Sequence, residues 1–223
     1  FDSESGYHIG SDCCFYHKYN EKYFKLEPIR WQEKTDGGRR IGLAYADQII
    51  DYTPFVAPNY YSDSALRKML NDLESKLTDT GIELTKKHLS CEPLVGLKNG
   101  GDYIYAVSGK GLVKYPVVND GVFAPNIEEA EKMINKSSWN KWYTDYALER
   151  YKVLKGVPDC ERPSEYFWTR TPDTRYNSNC FVSSIFGKGL YGRMKTFNDL
   201  DSFNTDTVSG VRPFISWDWK VNK

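Results

Sequence analysis

Tyr166-Phe167-Trp168-Thr169-Arg170-Thr171 is the stretch on which the fold class turns. Upstream of it the strongest periodic signals are helical. From Glu161 onward the pattern changes to short apolar runs broken by Asn, Asp, Ser and Gly. Runs of this length, rich in aromatic and β-branched residues, read as strands. Phe181 to Phe186 and Val211 to Trp217 repeat the reading, so short strands close the chain.

Working back from there, Thr144 to Lys155 predicts a helix, closed by Gly156 and Pro158 in the order expected at a C-terminus. Asn126-Ile127-Glu128-Glu129 has capping-box spacing, and Ile127, Ala130, Met133 and Ile134 give that short helix its apolar face. The best helix starts after Asp63 or Ser64 as cap. Leu66, Met69, Leu70, Leu73 and Leu77 fall on one stripe, and Gly81 ends it. Between these helices, Lys86 to Gly111 mixes Gly, Asn and Ser around a short strand at Tyr103 to Val107, and Val113 to Val118 is a second short strand broken by Pro116. Nearer the start, Tyr23 to Trp31 is a β candidate that Pro28 bends or confines to an edge. With Asp36-Gly37-Gly38 as the turn, and Ile41, Leu43 and Tyr45 alternating on one face, it makes a hairpin. The polar first stretch, Phe1 to Asn20, reads as irregular. The expectation is therefore an irregular lead-in over 1–22 and a single α+β domain over 23–223, with two or three helices and short strands framing them.

Composition narrows the function classes. At 223 residues the chain suits one elaborated domain, and 40% apolar residues against 27% charged supply a sizeable core. Lys+Arg 30 balances Asp+Glu 30, which argues against a general nucleic-acid binder. No apolar stretch approaches the roughly 18 residues of a membrane span. The chain begins at Phe1 without an initiator Met, so removal of an upstream leader or segment is expected. The 17 Tyr, 11 Phe and 6 Trp suit a loop-rich recognition surface, since each Tyr and Trp pairs a large apolar face with a polar tip.

Each candidate chemistry has a plainer competitor. The five cysteines (Cys13, Cys14, Cys91, Cys160 and Cys180) lack the paired spacing of a zinc site, and read as buried thiols or one or two disulfides. Gly109-Lys110-Gly111 lacks the spacing and the hydroxyl of a phosphate loop and reads as a hairpin turn. A Cys–His nucleophile drawn from Cys13, Cys14, Cys91 or Cys180 with His8, His17 or His88 would have to be assembled by the fold. Asp199, Asp201, Asn204 and Asp206 form an acidic loop that fails the EF-hand template, leaving calcium in another geometry against a solvated loop. Among Trp168, Arg170, Arg175, Arg212, Trp217 and Trp219, the arginines can pair with carboxylates or stack on rings. The favoured reading makes Arg170 and Arg212 structural, satisfying loop carbonyls.

Six ordered stretches resemble a known family. Tyr23 to Trp31 is similar to the "YFKVEPIKW" opening of an uncharacterised bacterial domain family, and Tyr61 to Asn71 to its "LRKWLN" helix. Gly121-Val122-Phe123 with Glu128-Glu129-Ala130, and Thr144-Asp145-Tyr146-Ala147, match its middle motifs. Phe167 to Pro172 resembles "WWLRSP", and Gly210-Val211-Arg212-Pro213-Phe214 the closing "GVRPAL". The family occurs mostly in secreted or cell-surface proteins, and its ending resembles the formylglycine-generating-enzyme type of C-type-lectin fold. That resemblance implies a twisted, loop-rich β core flanked by helices, with a ligand face built from C-terminal loops. Copper chemistry is not implied, because Cys180 is the only cysteine beyond Cys160. Nor is calcium-bridged sugar binding, because the lectin Glu-Pro-Asn signature is missing.

The expected function is thus an extracellular or cell-surface recognition module without catalytic activity or cofactor, binding a protein or carbohydrate. Arg175, Tyr176, Asn177, Tyr191 and Arg193 are the expected ligand contacts; Trp168, Arg170, Arg212 and Pro213 are expected to form the scaffold beneath them. The rivals are a cysteine-dependent oxidoreductase or hydrolase related to formylglycine-generating enzymes, and a structural spacer of a larger surface protein.

Overall fold

Two glycines in succession, Gly37 (φ 54°) and Gly38 (φ 82°), close the first long hairpin with the positive-φ geometry that matches strand twist. In the computed structural model the described residues are 7–9, 11, 15–25, 28–56, 60–91, 116–126, 129–130, 143–161, 163, 166–173, 179–184, 201–204 and 206–217. The hairpin pairs β4 (Trp31–Asp36) with β5 (Arg39–Ala46). Its first strand therefore starts where the sequence reading ended it. The Tyr23 to Trp31 run is split, with β3 (Lys22–Lys25) belonging to another sheet. The expected alternation along β5 also fails. Ile41 is 44% exposed, whereas Leu43, Ala44, Tyr45 and Ala46 are all buried. A register shift between Glu33 and Thr35, opposite Gly42 with its φ of +65°, interrupts the two-residue period next to Ile41, and beyond it both faces of the strand are covered.

The irregular lead-in is corrected as well. β1 (Tyr7–Ile9), β2 (Phe15–Tyr19) and β3 form an antiparallel sheet of their own. The strands that follow are β6 (Asp51–Pro54), β7 (Lys87–Leu89), β8 (Val118–Asp120), β9 (Val122–Phe123), β10 (Tyr166–Asp173), β11 (Asn179–Ser184), β12 (Asp201–Asn204), β13 (Val208–Val211) and β14 (Phe214–Ser216). They build a five-stranded sheet in the order β12-β11-β10-β13-β6, a four-stranded sheet in the order β4-β5-β14-β9, and the β7-β8 pair. β10 and β13 run parallel, with Phe167 opposite Gly210; among the described residues the other strand pairs are antiparallel. The architecture is α+β, dominated by strands, with two helices of full length among the described residues.

Those helices begin where their caps stand. Ser64 Oγ accepts from the Arg67 amide at 3.1 Å and starts α1 (Ala65–Asp79). Thr144 Oγ1 accepts from the Ala147 amide at 3.1 Å and starts α2 (Asp145–Lys155), which stops at Gly156 in the left-handed conformation. Each cap satisfies an amide that the first turn leaves unpaired. The capping box also forms. The Glu129 amide donates to Asn126 Oδ1 at 2.7 Å, and Glu129 Oε2 accepts from the Asn126 amide at 3.0 Å. Met133, Ile134, the candidate strand at 103–107 and residues 113–115 of the candidate strand Val113 to Val118 lie outside the described residues; of the latter, Val118 opens β8.

The larger core cluster joins α1 to the four-stranded sheet and β10. Leu66 and Leu70 of α1 are buried with Phe55, Tyr61, Phe123, Trp168 and Phe214, while Met69, Leu73 and Leu77 pack at its margin. The smaller cluster, Ile49, Tyr52, Ala130, Ala147 and Phe167, seats α2. Phe167 and Trp168 therefore serve different clusters, as consecutive strand residues must when both faces are covered. A Cβ at position 42 would run into the Trp217 carbonyl, whose own amide donates to Gly42 O at 3.0 Å. Gly42→Ala combines a left-handed backbone penalty with a backbone clash, so about 2–4 kcal/mol of stability should be lost. A urea midpoint equal to that of the unsubstituted chain would show that the bulge tolerates a side chain.

Candidate functional site

Arg170 and Arg212 are each 3% exposed, a burial that guanidinium groups tolerate only when their donors are satisfied. β10 carries Arg170 into the space below β9. There Nε donates to Ser90 O at 3.0 Å, and Nη1 donates to Ala124 O at 2.7 Å and to Glu129 Oε2 at 2.6 Å. Lys87 Nζ reaches the other Glu129 oxygen at 3.2 Å. Both cations also lie over the Phe123 ring, Arg170 at 5.6 Å and Lys87 at 5.5 Å from its centroid. Burial pushes the Glu129 carboxyl up, but the Arg170 hydrogen bond and charge, the Asn126 amide and Lys87 outweigh it and hold the group below its ordinary range.

Arg212 follows β13 and occupies the opposite end of the same aromatic row. Its Nε donates to Ala46 O at 2.8 Å and its Nη2 to Asp47 O at 3.4 Å. The guanidinium sits 5.2 Å from the Tyr45 centroid and 5.5 Å from that of Phe167. Burial pulls it down to about 9, so it remains charged at neutral pH. Pro213, the next residue, is buried and accepts from the Ala46 amide at 2.8 Å. Phe214 completes the row, 5.7 Å from Tyr45 and 6.1 Å from Phe123. Three rings thus bridge two buried cations. Beneath them Trp168 Nε1 donates to Thr53 O at 2.8 Å, and its ring meets Phe55 edge-on at 5.5 Å.

Other charges are committed in the same way. Arg67 grips buried Asp120 with two parallel bonds, Nε to Oδ2 at 2.9 Å and Nη2 to Oδ1 at 2.8 Å. Glu74 Oε2 accepts from the Gly121 and Val122 amides at 2.8 and 3.1 Å. Cys91 is buried, and burial pushes its thiol up to about 11, the reverse of what a thiolate nucleophile requires. His88 Nδ1 lies 3.1 Å from Asn119 Oδ1 on the outward face of the β7-β8 pair, and His17 packs edge-on against Tyr146 at 5.8 Å.

The expected ligand contacts Arg175, Tyr176, Asn177, Tyr191 and Arg193 lie outside the described residues, as do Cys13, Cys14, Gly109, Lys110, Gly111, Trp219 and Asp199. The acidic loop needs one correction. Asp201 to Asn204 is strand β12, paired with β11 by Val182 opposite Asp201 and Asn179 opposite Asn204; Asp206 is in a turn. Among the described residues no group of three or more His, Cys, Asp or Glu is placed to hold a metal ion, and no helix is long and apolar enough to cross a membrane.

Sequence reasoning singled out the two arginines. It saw Glu129 only as a capping residue and missed Asp120 and Glu74. Those acids meet partners 41 to 53 positions away, and no local pattern announces such pairs. Compared with known proteins, the chain matches no family model, no curated protein and no solved structure.

Two predictions test this framework. Arg212→Ala orphans the Ala46 carbonyl and empties the space between two rings. The loss is about 1.5–3 kcal/mol for the charged hydrogen bond alone, and Arg212→Lys recovers only part because it lacks the planar fork. An unchanged melting temperature for Arg212→Ala would remove the residue from the scaffold. The lowered Glu129 carboxyl contributes stability that is present above the unfolded carboxylate pKa of about 4.3 and is lost as pH falls through the lower folded value. Glu129→Gln should therefore flatten the acid limb of the stability-versus-pH curve between about pH 5 and 3. Parallel limbs in the two proteins would count against that linkage.

Proposed function

We propose that this chain is an extracytoplasmic bacterial recognition module with a C-type-lectin-like fold, binding a protein or glycan through the segment between Pro172 and Ser209. The observation that carries the reading is the buried strand pair that bounds that segment in the sequence. β10 and β13 are parallel neighbours, buried residue after residue from Phe167 to Thr171 and from Ser209 to Val211. The segment leaves from one and returns to the other. Arg170 and Arg212, the cations nearest its two ends, are spent on internal carbonyls, Glu129 and rings. A rigid base that commits its own charges internally is how folds hold binding loops in register. Recognition then falls to the residues beyond it, where the sequence supplies Arg175, Tyr176, Asn177, Tyr191 and Arg193.

Two further features agree with the C-type-lectin-like reading. β14, near the end of the chain, pairs with β5 of the early hairpin, so distant parts of the sequence meet in one sheet. Among the described residues α1 packs with Phe123 and Phe214 of the four-stranded sheet and α2 with Tyr52 and Phe167 of the five-stranded one, and the ordered motifs from Tyr23 to Trp217 follow those of the resembling family. The cysteine-dependent rival loses Cys91, whose thiol is buried and hard to ionise.

A glycan-array screen of the purified chain, run with calcium and again with chelator, tests the proposal. Binding that survives chelation, and that Tyr176→Ala abolishes without moving the melting temperature, is the expected result. Binding lost on chelation would bring in a metal at Asp199, Asp201 and Asp206. Silence in both arms would turn the reading to a protein partner or a structural spacer.

A further inference from the structure

No described residue of β1, β2 or β3 pairs with a strand of another sheet. Nor does any described residue from 15 to 25 belong to either core cluster. What ties the β2–β3 hairpin to α2 is a set of side chains. Lys22 Nζ and Asn20 Nδ2 donate to the two oxygens of Glu149 at 2.6 and 2.8 Å. Arg150 Nη1 donates to Tyr19 Oη at 3.0 Å, and its guanidinium stands 5.2 Å over the Tyr19 ring. His17, Tyr19 and Phe24 surround Tyr146 edge-on, with centroids 5.8, 5.5 and 5.6 Å away.

The hairpin also holds itself closed. Asn20 (φ 47°) and Glu21 (φ 59°) form its two-residue turn with positive φ, and Lys18 Nζ pairs with Glu21 at 2.8 Å. Its turn and ladder, with β1 paired along the other edge of β2, are made without any bond to α2. The helix, for its part, keeps a partner without the hairpin. Arg150 Nε donates to Asp51 Oδ1 at 3.0 Å, while Ala147 and Tyr151 pack against the second core. The interface thus lies between two units that each retain their own hydrogen bonds. Elements joined in this way open at free energies well below that of global unfolding.

From these contacts we infer that the β2–β3 hairpin is a strap that leaves and re-engages α2 as one unit while the body stays folded, with Glu149 as its latch. Opening releases Asn20 and Lys22 from Glu149 together, frees Tyr19 from Arg150, and bares the Tyr146 ring. The Glu149 carboxyl is held below its ordinary range, chiefly by the Lys22 hydrogen bond, in keeping with a latch that is charged when closed.

Hydrogen exchange of the full chain at neutral pH, read by mass spectrometry on peptides covering 15–25 and α1, tests the strap. Strap amides should exchange at least about tenfold faster than those of α1, as expected for local opening. Glu149→Gln should accelerate strap exchange by about a further tenfold, the scale of a lost charged hydrogen bond, with α1 unchanged. Lys22→Ala, at a side chain already 56% exposed, supplies a second variant with no core to disturb. The inference is overturned if strap and α1 exchange at one common rate. It is also overturned if the variants speed both equally, or if neither variant changes strap exchange.

Discussion

Two desolvated guanidinium groups set the terms for the middle of this protein. A buried arginine is costly unless each donor finds an acceptor, so Arg170 and Arg212 dictate where the surrounding carbonyls must be. Arg170 draws together the Ser90 and Ala124 carbonyls and the Glu129 carboxylate, three points on segments with no strand pairing to β10. Arg212 fixes the end of β5 through Ala46 and Asp47. Phe123, Phe214 and Tyr45 fill the span between them, so cation–ring contacts and ring–ring packing act along one row. The five-stranded and four-stranded sheets are joined through that row, since one arginine follows β13 and the other lies in β10.

Around this centre, charge serves alignment. Arg67 with Asp120 and Glu74 with the Gly121 and Val122 amides pin α1 to the β8–β9 corner at two places. Each pair is at least partly buried, and breaking one side leaves the other uncompensated, so such contacts discriminate against misregistered packing. The periphery is built differently. The N-terminal sheet rests on α2 through edge-on rings and polar tips, and its contacts stay outside both core clusters. A rigid centre and a lightly attached margin thus coexist in one chain, and the proposed recognition and strap movements draw on these two regimes separately.

How far the sequence could be read depended on the range of each interaction. Ser64, Thr144 and the Asn126–Glu129 box announce helix starts because a cap bonds an amide three residues away. The leucine stripe of α1 and the Gly37-Gly38 turn are legible for the same reason. The strands of residues 7–19 were not, since their polar run gains its order by pairing and by resting on a helix more than a hundred positions later. Nor was the loss of alternation in β5, because the interruption at Gly42, which meets Trp217, and the covering of both faces beyond it depend on distant segments.

Local chemistry by itself determined the α+β class, the positions of the helix starts, the hairpin turn and the identity of the arginines as groups that would need internal acceptors. Each follows from propensity, period or desolvation acting within a few residues. Tertiary structure alone decided which carbonyls those arginines found, that Glu129 would serve both a cap and an ion pair, and that β10 and β13 would lie parallel as a platform. Those outcomes depend on segments 40 to 170 residues apart meeting in space, and the loop entropy that separates them is repaid only when burial, charge and hydrogen bonding are satisfied together.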